Sequence, residues 1–455
     1  MSSALEIKNQ MDQQPMSRYQ WLIVAMCIFL FVIDGFDFMV MAYVASSVGA
    51  EFSLNATQIG TLLSSGLIGM TFGSLFIAPL ADKIGRKNLV LISLALCTFS
   101  MLAAAYTRSV LDLSIWRFIT GIGIAGIQIS CMILSTEYSS KRLKSMSVGL
   151  LSTGYGFGAT LGGLLAIYLI GDFGWRYVFL FGGIATALAL LMTLIFMPES
   201  IDYLLYKQPK QALEKLNTIM TRMRYPPLEA LAPLPRTHDK AQGAVKTLFN
   251  QQYLLQTLLL WFSMFFVLFG FYFVMGWTPK IFSILGAGAT HQSGVTVGMM
   301  INAGGMVGCI IFGLICTKLR LFSVHVFFLV ATALSVFMLV NATASLSLLI
   351  LAATVLGLFI NGCLAGIYSI ATGIYQANVR STGMGFATGI GRLGGIASPI
   401  IAGYFLDQGW APLNLYAMVS LIFVIAAMGV YLLGRVNHRK ESQDALQQQL
   451  LSSNK

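Results

Sequence analysis

The sequence predicts an all-α membrane protein with twelve transmembrane helices in two six-helix, pseudo-symmetric halves. Of its 455 residues, 57% are hydrophobic and only 10% are charged. Soluble domains usually carry about 25% charged residues, so this much apolar surface requires lipid as its solvent. The apolar runs are about 20 residues long and do not alternate, which predicts spanning helices rather than β-barrel strands.

Polar segments separate the predicted spans. The spans cover residues 21–46, 58–80, 89–106, 113–134, 145–170, 177–197, 253–277, 293–316, 322–340, 345–372, 383–406 and 412–433. The polar stretch before the first span lacks the basic, apolar and small-residue order of a cleavable signal peptide, so we expect the first span to be retained as a helix.

One long polar segment divides the chain into two halves of similar size. We predict a cytoplasmic N-terminal tail at 1–20, an N-terminal half at 21–197, a cytoplasmic linker at 198–252, a C-terminal half at 253–434 and a cytoplasmic tail at 435–455. Within the linker, residues 203–220 are amphipathic and predict a helix on the membrane surface. Two halves joined in this way are typical of parallel-repeat transporters, whose substrate site lies at the midplane between the halves.

The basic residues alternate between loops. The net charge is +11, but one set of loops contains most of the lysines and arginines, whereas the other set contains only Arg108, Arg176 and Lys280. The positive-inside rule therefore predicts that both termini are cytoplasmic. This distribution indicates contact with a lipid bilayer and not with nucleic acid.

Two carboxylates interrupt the first apolar run. Asp34 and Asp37 are three residues apart and share one helix face. A charged group at the bilayer centre costs about 2.5–3.5 kcal/mol on insertion scales, so such residues are usually functional. Mutual repulsion and burial should favour protonation of at least one, which suits a reversible proton carrier. The alternatives are a hydrated helix end or a structural ion pair.

Two arginines lie inside predicted spans. Arg117 is near the outer end of the fourth span, about 8–10 Å deep, where it would pair with the carboxylates. Its alternative role is snorkelling to the interface. Arg392 is near the midplane of the eleventh span and has no acidic partner in the helices of its half, so we predict that it binds an anionic ligand. Backbone carbonyls or Asp37 are alternative partners.

Other polar and aromatic residues in the spans are candidates for substrate contact, although core packing or an interfacial position is an alternative for each. These candidates are Gln128, Tyr155, Trp277, Asn302, Asn361 and Tyr368. Histidines and cysteines show no metal-ligand spacing, and no phosphate-binding Walker loop is present. We therefore expect no metal, no cofactor and no direct use of ATP.

The loop Asp82-Lys83-Ile84-Gly85-Arg86-Lys87 resembles the signature loop of the major facilitator superfamily. The resemblance implies the major facilitator fold and a gating role for Asp82, Gly85, Arg86 and Lys87, with Asp82 at a helix N-terminus and the basic residues facing acidic partners. Arg117 with Gly121 and Gly123 is similar to the fourth-helix motif that the superfamily links to proton coupling.

Asp34-Gly35-Phe36-Asp37 resembles the first-helix motif of the aromatic acid:proton symporter family, as do Pro198-Glu199-Ser200, Trp277 with Pro279, and Gly391-Arg392. The resemblance implies proton-coupled uptake of benzoate-like or hydroxybenzoate-like acids, or of muconate, across the bacterial inner membrane. It also implies that Asp34 and Asp37 carry the coupling and that Arg392 supports substrate binding. In the fourth helix the chain departs from the family, because Gln128-Ile129-Ser130 stands where many members carry Pro-Asn.

We therefore expect a monomeric transporter, not an enzyme, that couples protons to uptake of an aromatic carboxylate. Uptake of an aliphatic acid such as muconate or quinate, and export of organic acids, are alternatives within the same class. A non-transporting membrane sensor is a third alternative, against which the short, polar linker and tail argue.

Overall fold

The fold is described from a computed structural model. It describes residues 11, 14–77, 80–140, 143–231, 248–250, 253–285, 291–342, 345–375 and 377–453, without the side chains of residues 82, 145, 291, 377–382 and 440–453. The described residues form helices joined by turns and loops, and they contain no strand.

The first part of the chain forms nine helices within the described residues. They are α1 (Arg18–Glu51), α2 (Ala56–Phe72, continued by a π-helical turn at Gly73–Ile77), α3 (Ala81–Ile84), α4 (Arg86–Ala105), α5 (Val110–Glu137), α6 (Lys144–Asp172), α7 (Trp175–Phe196), α8 (Ile201–Lys207) and α9 (Ala212–Met223).

The second part forms six helices within the described residues. They are α10 (Leu254–Phe282), α11 (His291–Cys316), α12 (Leu321–Asn341), α13 (Leu346–Ile374), α14 (Ala377–Asp407) and α15 (Pro412–Ser453). Among the described residues, twelve helices are long and apolar enough to cross a membrane, which confirms the predicted number of spans. The last of these, α15, continues well beyond its predicted end at residue 433.

Local sequence sets where the helices begin, and burial decides which faces pack. A capping box starts α1, because Ser17 accepts from the backbone of Gln20 while the Gln20 side chain accepts from the backbone of Ser17. Large apolar residues such as Leu188, Leu191 and Ile195 on α7 remain exposed. A helix that is apolar on its exposed face is stable only in lipid, so this chain is a multi-pass membrane protein.

The helices form two compact units. Unit 1 comprises Met1–Leu54 and Ser65–Thr237, and its main packed pairs are α1 with α6, α4 with α5, and α4 with α7. Unit 2 comprises Asn55–Ser64 and His238–Lys455, with α11 on α13, α10 on α14, and α12 on α15.

The predicted surface helix of the linker is instead two short helices. Gln208 and Gln211 adopt left-handed backbone conformations, with φ of 46° and 62°, and these break the helix between α8 and α9. The apolar face of α9 is covered by protein, since Leu216, Met220 and Met223 are almost fully buried. The amphipathic pattern was thus correct that this segment is helical, but it did not show the break or that the apolar face packs on protein.

Candidate functional site

The Asp34 and Asp37 carboxylates lie deep inside unit 1. Each side chain is only 1% exposed, and both lie on the continuous helix α1. Between them, Gly35 permits close helix packing: a Cβ at this position would lie 2.1 Å from the backbone oxygen of Tyr155 on α6. The sequence motif therefore contains both acidic residues and, between them, the glycine that lets α6 pack closely against α1.

Asp34 is held by Gln128 of α5. The Gln128 amide donates a hydrogen bond of 2.8 Å to Asp34 Oδ2. Among the described residues, no donor reaches Asp34 Oδ1. Gln128, which the sequence suggested as a substrate contact, is therefore placed by the structure against one of the two carboxylates.

Asp37 has weaker contacts. Thr186 of α7 lies 3.4 Å from Asp37 Oδ2, but its hydroxyl makes a shorter bond of 2.6 Å to the carbonyl of Gly182. Asp37 Oδ1 has no hydrogen-bond donor within the described part of the chain. A buried oxygen without a donor is costly when it is charged, because the interior does not replace the lost hydration.

Arg117 contacts the backbone of the pair rather than a carboxylate oxygen. Its guanidinium is 3% exposed and donates 3.0 Å to the carbonyl of Asp37, with Met101 Sδ 3.9 Å away. The expected arginine–carboxylate hydrogen bond is therefore a bond to the main chain. The Asp37 and Arg117 charges still attract one another across this short separation.

Sequence reasoning missed Thr186 and Met101. A threonine or methionine within an apolar span is common and carries no motif. Only the packing of α7 against α1, and of α4 against α5, brings Thr186 to Asp37 and Met101 to Arg117.

Unit 2 holds a second polar group of residues. Arg392 on α14 is half-buried and lies close enough to Tyr368 on α13 for its charge to act on the phenol group. The ring of Tyr272 on α10 packs against Gly395, one turn along α14 from Arg392. The structure thus places Tyr368 within electrostatic range of Arg392, and Tyr272 beside Gly395 on the same helix.

The remaining candidates have mainly structural partners. Trp277 is 1% exposed and its indole donates 3.1 Å to the carbonyl of Pro399. The amides of Asn302 and Asn361 donate to backbone carbonyls of their own helices, at 2.9 and 3.2 Å. Tyr155 is half-buried on α6 and its ring contacts that of Phe38, with centroids 6.1 Å apart.

The signature loop is braced by Glu199. Its carboxylate accepts 3.1 Å from the backbone of Lys87 and occupies the space beside Gly85, whose φ is +97°. Attraction between the charges of Lys87 and Glu199 adds to this contact. Arg86 begins α4 and lies within electrostatic range of Glu137. The Asp82 side chain lies outside the described residues.

The C-terminal end of α5 joins the same brace. Ser200 donates 2.6 Å to Glu137 Oε2, and the Tyr138 hydroxyl donates 2.7 Å to the Glu199 carbonyl. Burial holds the pKa of the Tyr138 hydroxyl well above its usual range, so the group retains the proton that it donates. The last turn of α5 is therefore tied to the segment that follows α7.

Comparison with known proteins identifies the class of the chain. The family model described as Major Facilitator Superfamily matches residues 26–342 and 320–454. The chain belongs to the major facilitator superfamily. The transporter fold predicted from the sequence is confirmed, and so is the prediction that the protein is not an enzyme.

Relatives of this superfamily member are named as transporters of aromatic acids. The chain is 29% identical to a gallate transporter of Pseudomonas putida, covering 96% of this chain and 97% of the relative. It is 27% identical to the 4-hydroxybenzoate transporter PcaK of Acinetobacter baylyi, with 96% of each covered. An inward open structure of the xylose transporter XylE from E. coli, at 16% identity, has a TM-score of 0.72 over 90% of this chain and 95% of XylE, and shows the shared fold.

Proposed function

We propose that this protein couples protons to the uptake of a small aromatic carboxylate across the bacterial inner membrane by alternating access. The observation that carries the proposal is the buried pair of carboxylates, each with one oxygen that no described donor reaches. The names of the relatives supply the substrate class.

The carboxylate pair suits a proton site. Binding a proton at Asp34 Oδ1 or Asp37 Oδ1 would remove an uncompensated buried charge. After the proton leaves, the Gln128 amide would stabilise the ionised Asp34, and the positive charge of Arg117 would stabilise the ionised Asp37. A site that is stable in both protonation states can load and release a proton in each cycle.

Arg392 is our proposed anchor for the substrate carboxylate. A guanidinium can bind a carboxylate through two parallel hydrogen bonds, which fixes the orientation of the acid. The rings of Tyr368 and Tyr272 near Arg392 can pack against an arene and hydrogen-bond its substituents. Symport of one proton with one monoanion moves no net charge, so the pH gradient alone would drive uptake of the acid.

Uptake into proteoliposomes tests the proposal. We expect labelled benzoate or 4-hydroxybenzoate to accumulate when the outside is acidic, and the accumulation to collapse with a protonophore. Asp34→Asn should abolish accumulation, whereas Asp172→Asn, which changes an exposed acid at the end of α6, should not. Full accumulation by Asp34→Asn would refute its role, and uptake of muconate in place of both arenes would move the substrate to the aliphatic acids.

A second pair of variants tests the anchor. Arg392→Lys keeps the charge but loses the planar fork, so the KM for the acid should rise about tenfold, the loss expected for one charged hydrogen bond. The matched control is Arg320→Lys at the exposed residue before α12, which should leave the KM unchanged. An unchanged KM in Arg392→Lys would refute the anchor.

A further inference from the structure

The side chain of Lys87 lies at the end of α7 within unit 1. Its ammonium donates a hydrogen bond of 3.1 Å to the carbonyl of Leu194. This carbonyl cannot be bonded within its own helix, because the residue four positions later is Pro198, which has no N–H. Leu194 and its neighbour Ile195 are 56% and 68% exposed. The ammonium is therefore held beside an apolar surface that requires lipid.

Two basic side chains of α9 lie close to the Lys87 ammonium. The charges of Arg222 and Lys215 both act on the charge of Lys87. The two residues are seven positions apart, or two turns, so they share one face of α9, and both are exposed. Another face of α9 packs on protein through Leu216 and Met220. The structure thus gathers three positive charges near the end of α7, and we call Lys87, Lys215 and Arg222 the basic cluster.

Tyr19 of α1 holds Arg222 in place. The Arg222 guanidinium lies over the Tyr19 ring, 5.6 Å from its centroid, and Nη1 is 3.5 Å from the hydroxyl oxygen. A guanidinium has five N–H donors, so this contact leaves donors for an acidic ligand. Lys87 and Arg222 are both positioned in advance, which lowers the entropic cost of binding such a ligand.

The positive charge of the basic cluster is only partly balanced. Among the described residues, Glu199 is the carboxylate whose charge attracts Lys87. The Glu199 carboxylate also accepts from the backbone of Lys87 at 3.1 Å and from that of Ser200 at 2.8 Å. Three positive charges and one negative charge leave an excess of two positive charges. Because like charges repel one another at short range, the basic cluster should be more stable with an anion bound.

We propose that the basic cluster binds the phosphate headgroup of an anionic phospholipid, whose acyl chains lie along the exposed apolar side of α7. Phosphate oxygens accept charge-assisted hydrogen bonds from lysine and arginine alike. The exposed apolar surface beside Lys87, which includes Leu191, Leu194 and Ile195, favours a lipid over a free phosphate, because only a lipid covers both surfaces. The bound lipid would hold α9 beside the end of α7. This inference goes beyond the proposed transport and depends on no substrate.

The melting temperature of the purified protein tests the lipid site without a transport substrate. Protein in an uncharged detergent is titrated with dioleoylphosphatidylglycerol. A lipid that binds the folded protein should raise the melting temperature. Dioleoylphosphatidylcholine has the same acyl chains but no net charge, so it should have little effect, and equal effects of the two lipids would overturn the proposal.

A free headgroup separates a lipid site from a phosphate site. Glycerol 3-phosphate carries the phosphate charge without acyl chains, so it should leave the melting temperature unchanged over the same range of concentration. A rise as large as that given by dioleoylphosphatidylglycerol would make the basic cluster a site for a free phosphate and overturn the assignment to a lipid.

Variants of α9 locate the site, with Lys87 left intact because its backbone also braces the signature loop. Lys215→Gln and Arg222→Gln should each raise the amount of dioleoylphosphatidylglycerol at half-maximal effect about fivefold, the effect of removing one basic residue near an anionic surface. Lys215→Arg keeps the charge and should behave as the wild type. The matched control is Lys318→Gln, at an exposed basic residue after α11 in unit 2, which should also match the wild type.

Two outcomes of the variant series would overturn the site. One is an unchanged titration in Lys215→Gln/Arg222→Gln, and the other is an equal shift in Lys318→Gln, which would show general attraction to every basic loop. Lys215 is exposed, so Lys215→Gln without lipid should melt close to the wild type, which shows that the variant is folded. Failure of every variant, or of the wild type, to take up an aromatic acid would refute the proposed transport but leave the lipid titration intact.

Discussion

Replacing Gln128 by methionine should move the pH dependence of uptake to higher pH. Methionine nearly matches the shape of glutamine but cannot donate, so Gln128→Met removes the 2.8 Å bond to Asp34 Oδ2. That bond stabilises the ionised carboxylate, and no described donor reaches the other oxygen. The charged form of Asp34 therefore loses its hydrogen-bonded partner, whereas the neutral form loses little.

The magnitude follows from the charge on the acceptor. A hydrogen bond to a charged group contributes about 1.5–3 kcal/mol, and about 1.4 kcal/mol corresponds to one pH unit. Because the ionised form is destabilised, Asp34 should bind its proton at lower proton concentration. The external pH at half-maximal uptake should therefore rise by about one to two units. Accumulation at steady state should fall, since release of the proton to the cytoplasm becomes harder.

Initial uptake rates across a series of external pH values, at fixed internal pH, measure this shift. The matched control is Thr186→Val, which removes only a 3.4 Å contact to Asp37 from a hydroxyl already bonded to Gly182. Its profile should move by less than about half a unit. A Gln128→Met profile that superimposes on the wild type would refute the view that Gln128 controls the proton site.

Alanine at Gly35, Gly85 or Gly174 should destabilise the protein. Gly35→Ala places a methyl group 2.1 Å from a backbone oxygen of α6 and should lower the free energy of unfolding by about 1–3 kcal/mol. The loss is measured as a lower melting temperature in detergent. The control is Gly149→Ala on the open surface of α6, which should be neutral. Gly85 and Gly174 have nearly the same backbone angle, with φ of +97° and +96°. An added Cβ would clash with the Glu199 carboxylate only at Gly85. Gly85→Ala should therefore lower the melting temperature more, and equal losses would show that the contact with Glu199 is unimportant.

The sequence predicted the spans and the burial of the carboxylates for a physical reason. Apolar runs must match the thickness of the bilayer, and an acidic residue inside such a run has few places to go. The sequence did not show that Gln128 faces Asp34, or that Arg117 binds a carbonyl of α1. Those contacts depend on the rotation of each helix about its axis, which packing between helices decides.

Two other features show where sequence patterns carry too little information. The hydrophobic pattern predicted one helix in the linker. The helix breaks because Gln208 and Gln211 adopt left-handed backbone conformations, which no sequence motif signals. Trp277 was a candidate for substrate contact, with core packing or an interfacial position as the alternatives. Only the structure shows that its indole N–H donates a hydrogen bond to the Pro399 carbonyl.

The helix α5 connects two polar clusters of unit 1 without a break. It contains no proline and runs unbroken from Val110 to Glu137. Gln128, which binds Asp34, and Glu137, which binds Ser200, are nine residues apart on it, or about 14 Å. In the proposed mechanism, a shift of α5 on protonation of Asp34 would reach the hydrogen bond between Ser200 and Glu137. Proton loading would then be felt at the contact between the end of α5 and the segment that follows α7.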